Sequence, residues 1–151
     1  MLSQTPYAAL PDPTLQAEFY ADVPLKRLLA WLVDTALILA LCLLILPFTA
    51  FAALLFFPLF YLMVGFVYRT VTLAHGSATW GMRLVAIEMR RADGTRFDIG
   101  MAVLHTLGYS VSIGFVVPQL ISAILMLMTP RAQGLSDLLL GTVALNRAAR
   151  F

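Results

Sequence analysis

Two long stretches of the chain carry no aspartate, glutamate, lysine or arginine. Residues 35–68 lie between Asp34 and Arg69, and residues 99–130 lie between Asp98 and Arg131, with His105 as the group that titrates near neutrality. An upright membrane-crossing helix needs about 20 apolar residues. The first stretch is too long for one pass and reads as two, provided Asp34 falls inside the first. The pattern predicts apolar segments over about 28–46 and 51–70, with Pro47 at the break and Phe48, Thr49 and Ala50 in the turn. Pro58 sits inside the second, which membrane helices tolerate when neighbours take up the freed carbonyl. The second stretch is long for one pass and short for two. Gly114 and Pro118 mark a bend near its middle. It reads as segments of about 99–114 and 117–129, either one tilted, kinked span or a short hairpin that dips in and returns.

The basic residues arbitrate through the positive-inside rule. Lys26 and Arg27 precede the first segment, and Arg69, Arg83, Arg90, Arg91 and Arg96 stand between the two stretches. Arg131, Arg147 and Arg150 follow the second, and the turn near Pro47 has none. Four membrane segments put all three basic groups on the cytoplasmic side; three passes, the alternative, would strand one of them. The expectation is an all-α, multi-pass membrane protein. Two helical hairpins, the second short or re-entrant, leave both termini cytoplasmic.

Composition agrees and removes other classes. Of 151 residues, 61% are hydrophobic and 12% charged, against roughly 45–50% and about 25% in a soluble domain. The single cysteine, Cys42, excludes a disulfide scaffold. A net charge of +2 with no basic stripe argues against nucleic acid. Lys26-Arg27 followed by an apolar run imitates a signal peptide. The leading segment is too long for one, however, and Asp34 interrupts the run, so the first span is read as retained.

Residues 1–22 hold Pro6, Pro11 and Pro13 and no basic residue, which predicts a disordered or extended lead-in. A membrane domain then covers 23–147, with a tail at 148–151. Between the two stretches, Arg83–Met89 is rich in strand formers, and Asp93-Gly94 suits a tight turn. A cytoplasmic β-hairpin over about 83–98 is expected, with Thr95–Asp98 as the return strand. Thr142-Val143-Ala144-Leu145 is a further short strand candidate, and a lone hairpin gains from such a partner.

Candidate chemistry starts with Arg27, Trp31 and Asp34, which share one helix face. Asp34 lies about 10 Å further along the axis than Arg27, at a depth where an acid faces the bundle interior and has a partner. A second acid follows the last apolar segment in Arg131-Ala132-Gln133-Gly134-Leu135-Ser136-Asp137.

This arrangement resembles the RDD family of bacterial and archaeal membrane proteins, named for one arginine and two aspartates. The resemblance maps these onto Arg27, Asp34 and Asp137 and runs from about Val23 to Arg147. It is carried by Arg27-Leu28-Leu29-Ala30-Trp31-Leu32-Val33-Asp34, by Thr79-Trp80-Gly81-Met82-Arg83-Leu84-Val85 followed by Asp93-Gly94, and by Gly134-Leu135-Ser136-Asp137-Leu138-Leu139-Leu140-Gly141-Thr142-Val143. Met82 stands where a lysine is common, and His105 where an arginine is common. The resemblance implies a place in the bacterial cytoplasmic (inner) membrane and a membrane fold more than an activity; sodium/proton exchange has been proposed for a member.

Arg27, Asp34 and Asp137 are therefore expected to form one polar cluster near the cytoplasmic face. A structural ion pair is the favoured role for Asp34, and a helix cap or a bridge to Arg27 for Asp137. His105, Tyr109 and Ser112 form a helical stripe, and Gln119 and Ser122 a second polar pair. Both suit either a hydrophilic path or interhelical hydrogen bonds. No metal-ligand spacing, Ser-His-Asp arrangement or phosphate loop stands out, so no catalytic residue, metal or cofactor is expected. The reading is a non-catalytic subunit or assembly factor of a larger membrane complex, in contact with lipid and with a membrane-protein partner or its own copies. The alternative is an ion or small-solute carrier of the sodium/proton exchange type, working as an oligomer.

Overall fold

A computed structural model describes residues 6–147. Helix α1 spans Val23–Ile45 and α2 spans Phe57–Gly76. They are joined by two 3-10 turns, Leu46–Thr49 and Ala52–Phe56. Helices α3 (Trp80–Leu84), α4 (Ile99–Gly114), α5 (Val116–Met128) and α6 (Leu135–Leu140) follow, with strands β1 (Ile87–Arg91) and β2 (Thr142–Asn146). Among the described residues two helices are long and apolar enough to cross a membrane. The α4–α5 pair passes the same test jointly but is bent by 117° at its break. The fold is mostly helical with a small two-stranded antiparallel sheet, and among the described residues it has two candidate spans, or three with the bent pair as one, where four segments were expected.

The helix boundaries follow from local chemistry. Pro24 sits in the first turn of α1, where its missing N–H is no loss, so the helix starts before the segment expected at residue 28. Pro47 and the left-handed Ala50 and Phe51 then end the run and reverse the chain. Pro58 is not an interior kink: α2 begins at Phe57, places the proline in its first turn and continues to Gly76.

The expected 83–98 hairpin does not form. Arg83 and Leu84 close α3, which Thr79 caps by accepting from the Met82 N–H. The Asp93-Gly94 turn is present, with Gly94 at φ +80°. Beyond it, however, Asp98 accepts from the Met101 N–H and starts α4, so no return strand is left. β1 pairs instead with β2, in the register Ile87↔Asn146 to Arg91↔Thr142. The lead-in also departs from expectation over residues 6–22. Ala17–Phe19 makes a 3-10 turn, and Leu10 and Tyr20 are buried against Val143 and Leu145 of β2. Residues 1–5 and the expected tail at 148–151 lie outside the described residues.

One apolar core organises the rest. It joins Val23 at the start of α1, Leu73 near the end of α2, Ala102 in the first turn of α4 and Ala132 after α5 to Met89 of β1 and Ala144 of β2. Four helix ends therefore meet at the sheet. The connection between α1 and α2 carries exposed Phe48, Phe51, Leu55 and Phe56, and the α4–α5 bend carries exposed Phe115, Val116 and Val117.

Candidate functional site

Seven residues apart on α1, Arg27 and Asp34 are too far along the axis to meet, and each reaches to a different helix. Arg27 Nη1 lies 2.5 Å from Asp137 Oδ2. Asp34 pairs with Arg69 of α2, whose Nη1 lies 3.6 Å from Oδ2. In place of the single expected cluster there are two carboxylate networks.

Asp34 is 1% exposed and holds α1 to α2 and α3. Its Oδ1 accepts from the Tyr68 hydroxyl at 2.7 Å and the Gly81 N–H at 2.9 Å. Its Oδ2 accepts from Thr79 Oγ1 at 2.6 Å. Three neutral donors thus solvate the carboxylate, and the longer Arg69 contact balances its charge. The Arg69 guanidinium lies over the Tyr109 ring, 4.3 Å from its centre, a favourable cation–π geometry.

Asp137, in the first turn of α6, is fully buried. Besides Arg27, its Oδ1 accepts from Thr142 Oγ1 at 2.8 Å and its Oδ2 from the Gly134 N–H at 3.0 Å. His105 Nε2 is 2.9 Å from Oδ1 and, facing a carboxylate, must be the donor. Burial alone would raise the Asp137 carboxyl. The Arg27 guanidinium and the His105 and Gly134 hydrogen bonds outweigh it and hold the group well below the usual carboxylate range.

Both networks border a cavity of about 580 Å³ between α1, α2 and the α4–α5 pair. Of the residues singled out in the sequence, Arg27, Asp34, His105, Tyr109, Ser112, Gln119 and Ser122 line it, whereas Asp137 does not. The Tyr109 hydroxyl accepts from Trp31 Nε1 at 2.7 Å and from Arg69 Nη2 at 3.4 Å. Ser112 donates to Gln119 Oε1 across the α4–α5 bend at 3.0 Å, and Ser122 Oγ accepts from the Leu135 N–H at 3.0 Å.

A model of the RDD family matches residues 22–141. The chain belongs to the RDD family. No curated protein and no solved structure matches it. At position 105 this RDD protein carries an imidazole that donates to Asp137. Among the described residues no group of three or more His, Cys, Asp or Glu could hold a metal ion.

Sequence reasoning misses Arg69, Tyr68, Thr79 and Gly81 as partners of Asp34. Read in one dimension, Arg69 is only a topological charge. Its signal is its place at the boundary of a charge-free stretch, opposite a lone buried acid. Also missed is Glu88 of β1, 1% exposed, whose Oε1 accepts from Arg90 Nε and Nη2 at 2.9 and 2.7 Å and whose Oε2 accepts from Arg147 Nε at 3.3 Å. Four of the cations assigned by the positive-inside reading, Arg27, Arg69, Arg90 and Arg147, thus pair with buried acids.

Proposed function

We propose that this RDD protein is a non-catalytic, multi-pass membrane protein that serves as an accessory subunit or assembly factor, and that its buried charges hold the fold. The observation that carries this reading is the saturation of both carboxylates. Each oxygen of Asp34 and of Asp137 already has two partners from this chain. A carboxylate that shuttles an ion needs a vacancy or a weak partner to exchange. The long exposed apolar faces of α1 and α2 suit lipid and a membrane-protein partner or a second copy. The cavity beside Asp34 favours the second reading, a carrier of the sodium/proton exchange type. Asp34→Asn separates the two. It puts an amide N–H₂ against the Gly81 N–H or the Thr79 hydroxyl and leaves Arg69 without its counter-charge. Breaking a buried pair in this way costs about 3–5 kcal/mol. We expect lower folded yield and no sodium-driven proton flux from wild type in liposomes. Flux by wild type that is lost in an equal amount of folded Asp34→Asn protein would replace the accessory reading with the carrier.

The proposed topology is two transmembrane helices and a re-entrant pair in a bacterial cytoplasmic membrane, with the sheet in the cytoplasm. Helix α4, at 16 residues, is about 24 Å long, and α5, at 13, about 20 Å. A 117° bend leaves about 63° between the arms. Set symmetrically, they reach about 20 Å deep, short of the roughly 30 Å hydrocarbon core. Both arms also return to the sheet that anchors α1 and α2. In a Cys42→Ala background, cysteines at Thr95 and Ala149 should label from the cytoplasmic side and a cysteine at Phe51 from the opposite side. Labelling of Thr95 and Ala149 from different sides would restore three passes.

A further inference from the structure

The cavity's polar wall is unbalanced in a way that specifies a ligand. The carboxylate in its lining, Asp34, has its acceptors consumed, as above, while donors are left over. Among the described residues Thr106 Oγ1, on a residue 1% exposed, has no hydrogen-bond partner. The Ser122 hydroxyl accepts from Leu135 and keeps its own proton, and Tyr109 accepts twice and keeps its own. Gln119, also in the lining, uses its carbonyl on Ser112 and keeps its amide N–H₂ as a donor. Arg69 also lines the cavity; Asp34 balances its charge at 3.6 Å, and its guanidinium carries five N–H donors. A buried donor without an acceptor is costly, so an occupant rich in oxygen acceptors is favoured.

The other wall is apolar. Leu28 on α1 and Leu127 on α5 line the cavity and are 53% and 74% exposed, so on this side its lining is continuous with the apolar outer surface. We propose that this cavity binds one glycerophospholipid, entering between α1 and α5, with its phosphodiester on the donors of Arg69, Tyr109, Thr106 and Gln119 and its acyl chains leaving past Leu28 and Leu127. A volume of about 580 Å³ falls within the ~300–1,000 Å³ of small-molecule sites, so the acyl chains extend into the bilayer. This inference goes beyond the accessory role and does not depend on it.

The test uses the full chain, delipidated in a non-ionic detergent, with Trp80→Phe so that fluorescence reports Trp31 at the cavity wall. Dihexanoylphosphatidylglycerol supplies both the phosphodiester and the chains. Dihexanoylglycerol lacks the phosphodiester, and inorganic phosphate lacks the chains. We expect a saturable change with the phospholipid and at least tenfold weaker binding of either half. Ala123→Phe, which puts a ring into the lining without touching an ion pair, should abolish binding at equal folded amount. Gln119→Leu should weaken it severalfold. The proposal is overturned by no saturable change with the phospholipid, by equal affinity for dihexanoylglycerol or for phosphate, or by undiminished binding in the folded variants. If Ala123→Phe does not fold, Gln119→Leu and the three probes decide.

Discussion

Arg27→Ala is expected to lower the thermal midpoint of the purified protein sharply and to cut the yield of folded chain. The substitution removes the cation closest to a carboxylate that is fully shielded from solvent. Leaving such a charge unpaired costs about 3–5 kcal/mol, a large share of the 5–15 kcal/mol that holds a typical fold. Asp137 would keep His105, Thr142 and the Gly134 N–H, so the loss should be severe without being total. Arg27→Lys keeps the charge without the planar fork and should fall between. Asp137→Asn added to the Arg27→Ala variant should recover part of the loss, because the orphaned charge is then gone. The pH dependence has a defined sign. A depressed carboxyl adds stability that is fully present above its unfolded value of about 4. That stability is lost as pH falls through the lower folded value. Without Arg27 the raising effect of burial has less to oppose it, so acid unfolding should begin at higher pH than in wild type. A midpoint within about 2 °C of wild type, or an acid limb that does not move, would remove Arg27–Asp137 from the interactions that hold this fold.

How far the sequence carries can be traced through particular residues. The family, the membrane character and the two long helices are legible because they rest on composition, charge-free length and three ordered motifs. Partner identity is not, because Arg27 and Asp34 look like a local pair in one dimension. On a helix seven residues span about 10 Å, so both must look to other elements, and which elements is a property of packing. The hairpin error has a similar origin. Asp93-Gly94 signals a turn correctly, but Asp98 has two competing uses, strand end or helix cap, and the Met101 N–H decides it. Thr142–Leu145 is visible as a strand, yet its pairing with β1 needs α4, α5 and α6 to bring the chain back. Pro58 misleads about where α2 begins because a proline is an interior kink or a start signal according to context.

Gly81 is where the middle motif becomes a physical requirement, and Gly81→Ala should be among the most damaging single-methyl changes in the chain. A Cβ there would stand 2.2 Å from the Ala30 carbonyl oxygen, 2.9 Å from its carbon and 2.9 Å from Asp34 Oδ1. The first two are backbone atoms of α1 and cannot turn aside, so α3 would have to lift off. Lifting it removes the Gly81 N–H and the Thr79 hydroxyl from Asp34, at present 2.9 and 2.6 Å away. It also takes the Trp80 N–H from the Tyr68 hydroxyl. A buried carboxylate would lose two of its three neutral donors in one step. Over-packing of this kind costs about 1–3 kcal/mol, and each buried group left unsatisfied adds about 1–3 kcal/mol. The expected outcome is a fall in thermal midpoint comparable to that of Arg27→Ala, with faster proteolysis around residues 77–86. Gly114→Ala is the control, because nothing lies within 4 Å of its Cβ position; there the added methyl should be neutral or slightly stabilising. Ala30→Gly should not rescue Gly81→Ala, because the obstructing atoms are the carbonyl of residue 30 and not its side chain. Rescue by that change, or a Gly81→Ala protein as stable as the Gly114→Ala control, would mean that α3 does not seat on α1 through Gly81.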